Sequence, residues 1–62
     1  MEYTNSQVRE AIAEHIHSER DRRILERRFI DGITIEKLAE EFALSPRQIK
    51  NIIYRNEEIL FR

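Results

Sequence analysis

The residues best equipped for chemistry in this 62-residue chain are hydrogen-bond donors, and they crowd into one stretch. Between Ser45 and Asn56 stand Arg47, Lys50 and Arg55 with no acid among them, interleaved with the amides Gln48 and Asn51 and the phenol Tyr54. Guanidinium and ammonium groups donate to guanine O6 and N7, and a carboxamide pairs with adenine through one donor and one acceptor. Such a set suits the reading of base edges in the major groove of double-stranded DNA. Arg47, Gln48, Lys50 and Asn51 are the candidate base readers. Tyr54 and Arg55, further along, are candidates for phosphate contacts, as are Ser45 and the free N–H groups at the helix start beside it.

Other chemistry finds little material. There is no cysteine, so neither a disulfide framework nor a thiolate metal site. His15 and His17 lie two apart and would point to nearly opposite faces of a helix, so they cannot share a metal. Glu40 with Glu41, and Glu57 with Glu58, are neighbours that diverge on a helix. One glycine rules out a glycine-rich phosphate loop, and no serine stands in a nucleophile–base arrangement. No catalytic residue, metal ligand or cofactor is expected, and the chain is not read as an enzyme.

The elements that must position the donors follow from capping and periodicity. With one glycine and one proline, the expected class is all-α, a single small four-helix domain over residues 1–62. A first helix is predicted over residues 5–17: Thr4, Asn5 and Ser6 all offer cap oxygens, and Val8, Ile12 and Ile16 recur as one apolar stripe. Ser18 opens a second helix, with Asp21 in the capping-box position, Ile24, Leu25 and Phe29 on its apolar face, and Gly32 at its end. A hairpin at Asp31–Gly32 conflicts with the helical pattern on both sides. A short third helix is predicted over residues 35–43, capped by Thr34 with Glu36 at its positive end and with Ile35, Leu38, Ala39 and Phe42 inward. Ser45, Pro46 and Gln48 then agree on a fourth start: a cap, a proline at the first position and a capping-box glutamine. Ile49, Ile52, Ile53, Asn56 and Leu60 share its inner side, and Asn56 marks where the helix is expected to leave the core.

A short helix, a tight turn and a second helix with a polar outer face make a helix-turn-helix over about residues 34–55. Ala39 permits close approach of the two helices, and Leu38, Phe42, Leu44, Ile49 and Ile52 are expected inside. Thr34 and Lys37 become candidate DNA-backbone contacts from the bracing helix.

The stretch RRFIDGITIEKLAEEFALSPRQIKNI resembles the DNA-binding fourth region of bacterial sigma factors of the sigma-70 type. The matching positions are Arg28, Phe29, Gly32, Thr34, Glu36, Leu38, Ala39, Glu40, Phe42 and Ser45, and the resemblance covers about residues 19–55. The DNA-binding domain of LuxR-type regulators is a related, slightly poorer match. The resemblance implies a helix-turn-helix regulator of transcription that binds double-stranded DNA. Ala43 departs from it, standing where many such turns have glycine. Pro46 and Arg47 replace an Arg-Glu pair common in housekeeping sigma factors, so promoter-element specificity does not carry over. The regions that bind the polymerase core and melt the promoter have no counterpart, so the expectation is a stand-alone small regulator or an excised domain.

Charge bounds the partners. The formal net charge is −1, which disfavours binding nucleic acid by sheer basicity. Residues 1–44 carry seven basic and ten acidic side chains, whereas residues 45–62 carry four and two. A second basic cluster, Arg20, Arg22, Arg23, Arg27 and Arg28, reads mainly as a solvated face. Arg23 with Glu19, and Arg22 with Glu26, are its expected ion pairs, and phosphate contact or docking of polymerase is its lesser role. The near-neutral body keeps a rival reading in view, a protein-interaction module that binds RNA polymerase or a sigma factor. Ile59, Leu60 and Phe61 are expected to close the core against the first helix or, second, to make a homodimer contact. No signal peptide or membrane-length apolar run is present, and a cytoplasmic protein is expected.

Overall fold

The computed structural model describes residues 3–61. Four helices, α1 (Asn5–His15), α2 (Glu19–Phe29), α3 (Ile35–Phe42) and α4 (Pro46–Leu60), make a small all-α domain.

Each helix starts at a side chain that satisfies an otherwise orphaned backbone donor. At α1 the choice among three cap candidates falls on Thr4. Its Oγ1 accepts the Gln7 N–H at 3.2 Å, and Gln7 Oε1 accepts the Thr4 N–H at 2.9 Å, so the box closes in both directions. Ser18 Oγ accepts the Asp21 N–H, Thr34 Oγ1 the Lys37 N–H, and Ser45 Oγ the Gln48 N–H. Gln48 Oε1 returns a bond to the Ser45 N–H at 2.9 Å, and Pro46 opens the first turn of α4.

The first helix stops at His15, two residues short of the expected end. Ser18 must be extended to cap α2, and Ile16 turns extended to reach the core, where it is buried. Arg22 holds this corner from α2. Its guanidinium donates to the carbonyl oxygens of Ile16 and, at 2.8 Å, Ala13. The expected Arg22–Glu26 and Arg23–Glu19 ion pairs do not form among the described residues. Unpaired carbonyls at a helix end are the stronger draw for Arg22, since an exposed i,i+4 pair yields only ~0.3–0.5 kcal/mol.

The α2–α3 connection is not a hairpin. Gly32 takes φ +70, and beyond it the Ile33 N–H reaches back to the Arg27 carbonyl at 3.1 Å. Arg28 clamps the same loop by donating to the Ile33 carbonyl at 3.1 Å. Arg27 crosses to α3, donating to both Glu41 oxygens at 2.7 and 3.0 Å and to Asp31 at 3.1 Å. The arginine cluster is thus largely a set of clamps rather than a free basic face.

The core gathers Val8, Ile12 and Ile16 of the α1 stripe, Ile24 and Leu25, Leu38 and Ala39, and Ile49, Ile52, Ile53 and Leu60. Burying each of the large aliphatic groups contributes about 1.5–3 kcal/mol. α4 packs on all three other helices. Contrary to expectation it does not leave the core at Asn56. That side chain is 6% exposed, and its Nδ2 donates to the Ile52 carbonyl at 2.8 Å, so the amide is satisfied within its own helix. Leu60, one turn on, is buried. The Phe61 ring lies 5.0 Å from that of Tyr3 and 5.3 Å, edge to face, from that of Phe29. The C-terminal apolar residues therefore mostly close the core, with Ile59 left partly exposed. Among the described residues no helix is long and apolar enough to cross a membrane.

Candidate nucleic-acid interface

The α3–α4 turn is built from Phe42 to Ser45. Ala43 takes the left-handed conformation, φ 56 and ψ 41. The Leu44 N–H bonds the Ala39 carbonyl at 2.9 Å and the Ala43 N–H the Glu40 carbonyl at 3.4 Å, the paired bonds of a Schellman ending. Glycine is the usual residue there, but the backbone geometry is reached with alanine. Leu44 is half-buried beside the core, and Ser45 starts α4 immediately.

This turn sets α4 with Ile49, Ile52 and Ile53 inward and Arg47, Gln48, Lys50, Asn51, Tyr54 and Arg55 exposed. At ~100° per residue the outward set covers roughly 160° of the helix circumference. Arg47, Asn51 and Tyr54 fall along its middle, Lys50 on one flank and Arg55 with Gln48 on the other. Tyr54 is 59% exposed. From Arg47 to Arg55 the face is about 12 Å long at ~1.5 Å per residue. Glu57 and Glu58 follow, so the acid-free surface belongs to the first three turns of α4.

Individual candidates differ in how free they are. The side chains of Arg47, Lys50, Asn51 and Tyr54 make no hydrogen bond or ion pair among the described residues. Gln48 is exposed, but its carbonyl oxygen already serves the Ser45 N–H, which holds the amide in the cap and leaves its NH₂ for a partner. Bidentate pairing with adenine calls on both ends of the amide. Ser45 is exposed with its hydroxyl engaged as the cap. The expected group of free N–H donors at the α4 start shrinks to one. Proline at 46 has no N–H, the Gln48 N–H goes to Ser45 Oγ and the Ile49 N–H to the Ser45 carbonyl. The Arg47 N–H remains.

On α3, Thr34 and Lys37 are both exposed, the Thr34 hydroxyl acting as cap. Glu36 and Glu40 are exposed on either side of Lys37 in the sequence and oppose an approaching phosphate. The ion pair between Arg27 and Glu41 holds the Glu41 carboxyl below its usual range, chiefly through the side-chain hydrogen bond, and raises Arg27.

One feature of this surface escaped the sequence reading. Asp21 is buried, 8% exposed, and carries a different arginine on each oxygen. Arg20 donates to Oδ1 from Nε at 3.3 Å and Nη2 at 3.2 Å, and Arg55 Nη2 lies 3.7 Å from Oδ2. Position 21 looks in sequence like a capping-box acid, which masked its tertiary role. Arg55 is thereby tethered to α2 while its side chain stays 66% exposed.

Comparison of the chain with protein-family models, with curated proteins and with solved structures gave no match.

Proposed function

We propose that the chain is a sequence-specific double-stranded DNA-binding regulator of transcription, acting in the cytoplasm, with α3, the turn and α4 as a helix-turn-helix. The observation that carries this reading is the exposed, acid-free arc of Arg47, Lys50, Asn51, Tyr54 and Arg55 over the first three turns of α4. A major groove about 12 Å wide admits one helix, and the N-terminal part of such a helix meets the base edges. Arg47, Lys50 and Asn51 are the base readers. Arg55 and Tyr54 meet phosphates from α4, with Thr34 and Lys37 doing so from α3. Gln48 acts first as a cap and second as a donor.

The test is selection from random duplex DNA followed by affinity measurements against salt. Contact with Z phosphates gives a log–log slope near −0.9Z. Alanine at Lys50 and at Asn51 lowers affinity for the selected duplex by about 1–3 kcal/mol per base contact and relaxes preference at the contacted position. Unchanged affinity in both variants rejects α4 as the reader.

The exposed Glu36 and Glu40 favour a second reading, an interaction module whose partner is RNA polymerase or a sigma factor. It predicts capture of polymerase or sigma factor by the purified chain and no salt-dependent duplex binding.

A further inference from the structure

The Arg20–Asp21–Arg55 cluster is not needed to hold α2 against α4. Ile24, Leu25, Ile52 and Ile53 are buried in the shared core, and both arginines stay more than half exposed. What the cluster does create is imbalance. Two guanidiniums flank one carboxylate, one on each oxygen, and a single positive charge is left over. The surplus faces a shallow recess lined by Arg20, Leu44, Gln48, Asn51, Ile52 and Arg55. Gln48 and Asn51 add amide donors to that recess, and no acid other than Asp21 approaches the two arginines within ion-pair distance among the described residues. A group with several acceptor oxygens and a negative charge would complete it, because charge-assisted bonds from guanidinium to phosphate are among the strong ones.

We infer that Arg20 and Arg55 form a seat for a phosphate group beside the exposed face of α4, with Asp21 as the positioning residue that holds both guanidiniums. The inference rests on the DNA reading above and extends it, because it brings α2 into the interface through a residue outside the helix-turn-helix. The occupant is a phosphodiester of the duplex backbone. Arg20 contributes hold without sequence preference, as backbone contacts do.

The experiment compares Arg20→Gln, Arg20→Lys and a control, Arg9→Gln, in the full chain. Arg9 lines a recess among α1, α2 and α3 that includes no residue of α4. Each variant is titrated with a selected duplex and with an unrelated duplex of equal length, at several salt concentrations, and its unfolding midpoint is measured beside the wild type. One phosphate contact changes the log–log slope by about 0.9 and is worth about three- to fourfold in affinity over a fourfold change in salt. The expected result is that Arg20→Gln loses that much slope and weakens both duplexes by the same factor, with an unchanged midpoint. Arg20→Lys keeps the slope, and Arg9→Gln leaves slope and affinity as they were. An unchanged slope in Arg20→Gln, in a wild type that does bind duplex and is weakened by Lys50→Ala, overturns this inference alone. A wild type that binds no duplex overturns it together with the DNA reading. Inorganic phosphate, followed through the Asn51 side-chain amide resonances, separates the sources. Saturable phosphate binding with no slope change in Arg20→Gln makes the seat one for a free anion and rejects the duplex contact.

Discussion

Replacing Ala43 by glycine should stabilise the protein, and the size of the gain follows from the turn. Ala43 sits at φ 56 and ψ 41, a conformation that costs an L-residue ~1–2 kcal/mol because Cβ crowds the backbone. Glycine escapes that penalty. It gives back ~0.4–1 kcal/mol because the unfolded chain becomes freer. Ala43 is exposed, so losing its methyl removes little burial. The difference is roughly 0.5–1 kcal/mol in favour of Ala43→Gly, or several degrees in the unfolding midpoint for a domain of this size. Gly32 supplies the mirror experiment. It sits at φ +70, and a Cβ built there meets nothing within 4 Å, so Gly32→Ala isolates the backbone term and should destabilise by a similar amount. Both are read by urea unfolding followed through helical circular dichroism, with the m-value checked for constancy. A lower midpoint for Ala43→Gly at constant m would mean that the left-handed turn is not the state the chain occupies, and the placement of α4 relative to α3 would have to be redrawn.

Three further outcomes test separate links. Arg22→Ala should destabilise by about 0.5–1.5 kcal/mol, chiefly by removing the part-buried bond to the Ile16 carbonyl, since water reaches the exposed Ala13 carbonyl; Arg22→Lys should recover part of this, since one ammonium lacks the fork that spans both. Asn56→Asp should lower stability by about 2–4 kcal/mol at neutral pH, by burying a charge that cannot donate to the Ile52 carbonyl, and the deficit relative to wild type should shrink in acid as the carboxyl gains a proton. Glu41 has its carboxyl pKa lowered by Arg27, so the ion pair stabilises the fold fully above the unfolded carboxylate value of ~4.3 and loses that contribution as pH falls through the lower folded value. Acid titration of unfolding should therefore be slightly less steep in Glu41→Gln, and an identical acid limb would reject the pair as a contributor.

Much of the scaffold was legible because the deciding interactions are local. Ser18, Thr34 and Ser45 cap because a short hydroxyl side chain reaches an N–H three residues on, and that depends on sequence spacing alone. The exposed set on α4 was legible for a similar reason: four isoleucine and leucine positions fix which side is buried, and ~100° per residue then fixes the other. What stayed hidden was the reach of four arginines. Arg22, Arg27, Arg28 and Arg55 reach carbonyls or carboxylates five to thirty-four residues away, a choice made by how helices and loops meet. Local pairing rules assign Arg22 to Glu26 and Arg23 to Glu19, contacts that do not form among the described residues, whereas Arg27 adds an i,i+4 bond to Asp31 beside its longer reach to Glu41. Asn56 was misread because polarity at an inner position suggested an exit, whereas a bond to its own helix lets the amide remain inside. The loss of free N–H groups at the α4 start could have been read from Ser45, Pro46 and Gln48 together, since the proline and the capping box remove most of them.

The charge arrangement bears on how the proposed DNA binding divides between hold and choice. If Arg47 and Lys50 spend their donors on bases, phosphate contact falls to Lys37, Arg55 and Arg20, a Z of about 3. The salt slope is then near −2.7, and raising salt from 50 to 200 mM weakens binding by roughly 40-fold. Proteins with many phosphate contacts lose far more over that range and bind any duplex well at low salt. Here Glu36 and Glu40 trim even this modest hold. Base contacts worth about 1–3 kcal/mol each would then make up a large share of the affinity, so sequence preference is concentrated in Arg47, Lys50 and Asn51. A slope near −3 with strong loss on base substitution fits this division. A slope far steeper than the available cations allow would mean that a surface other than α4 carries the binding.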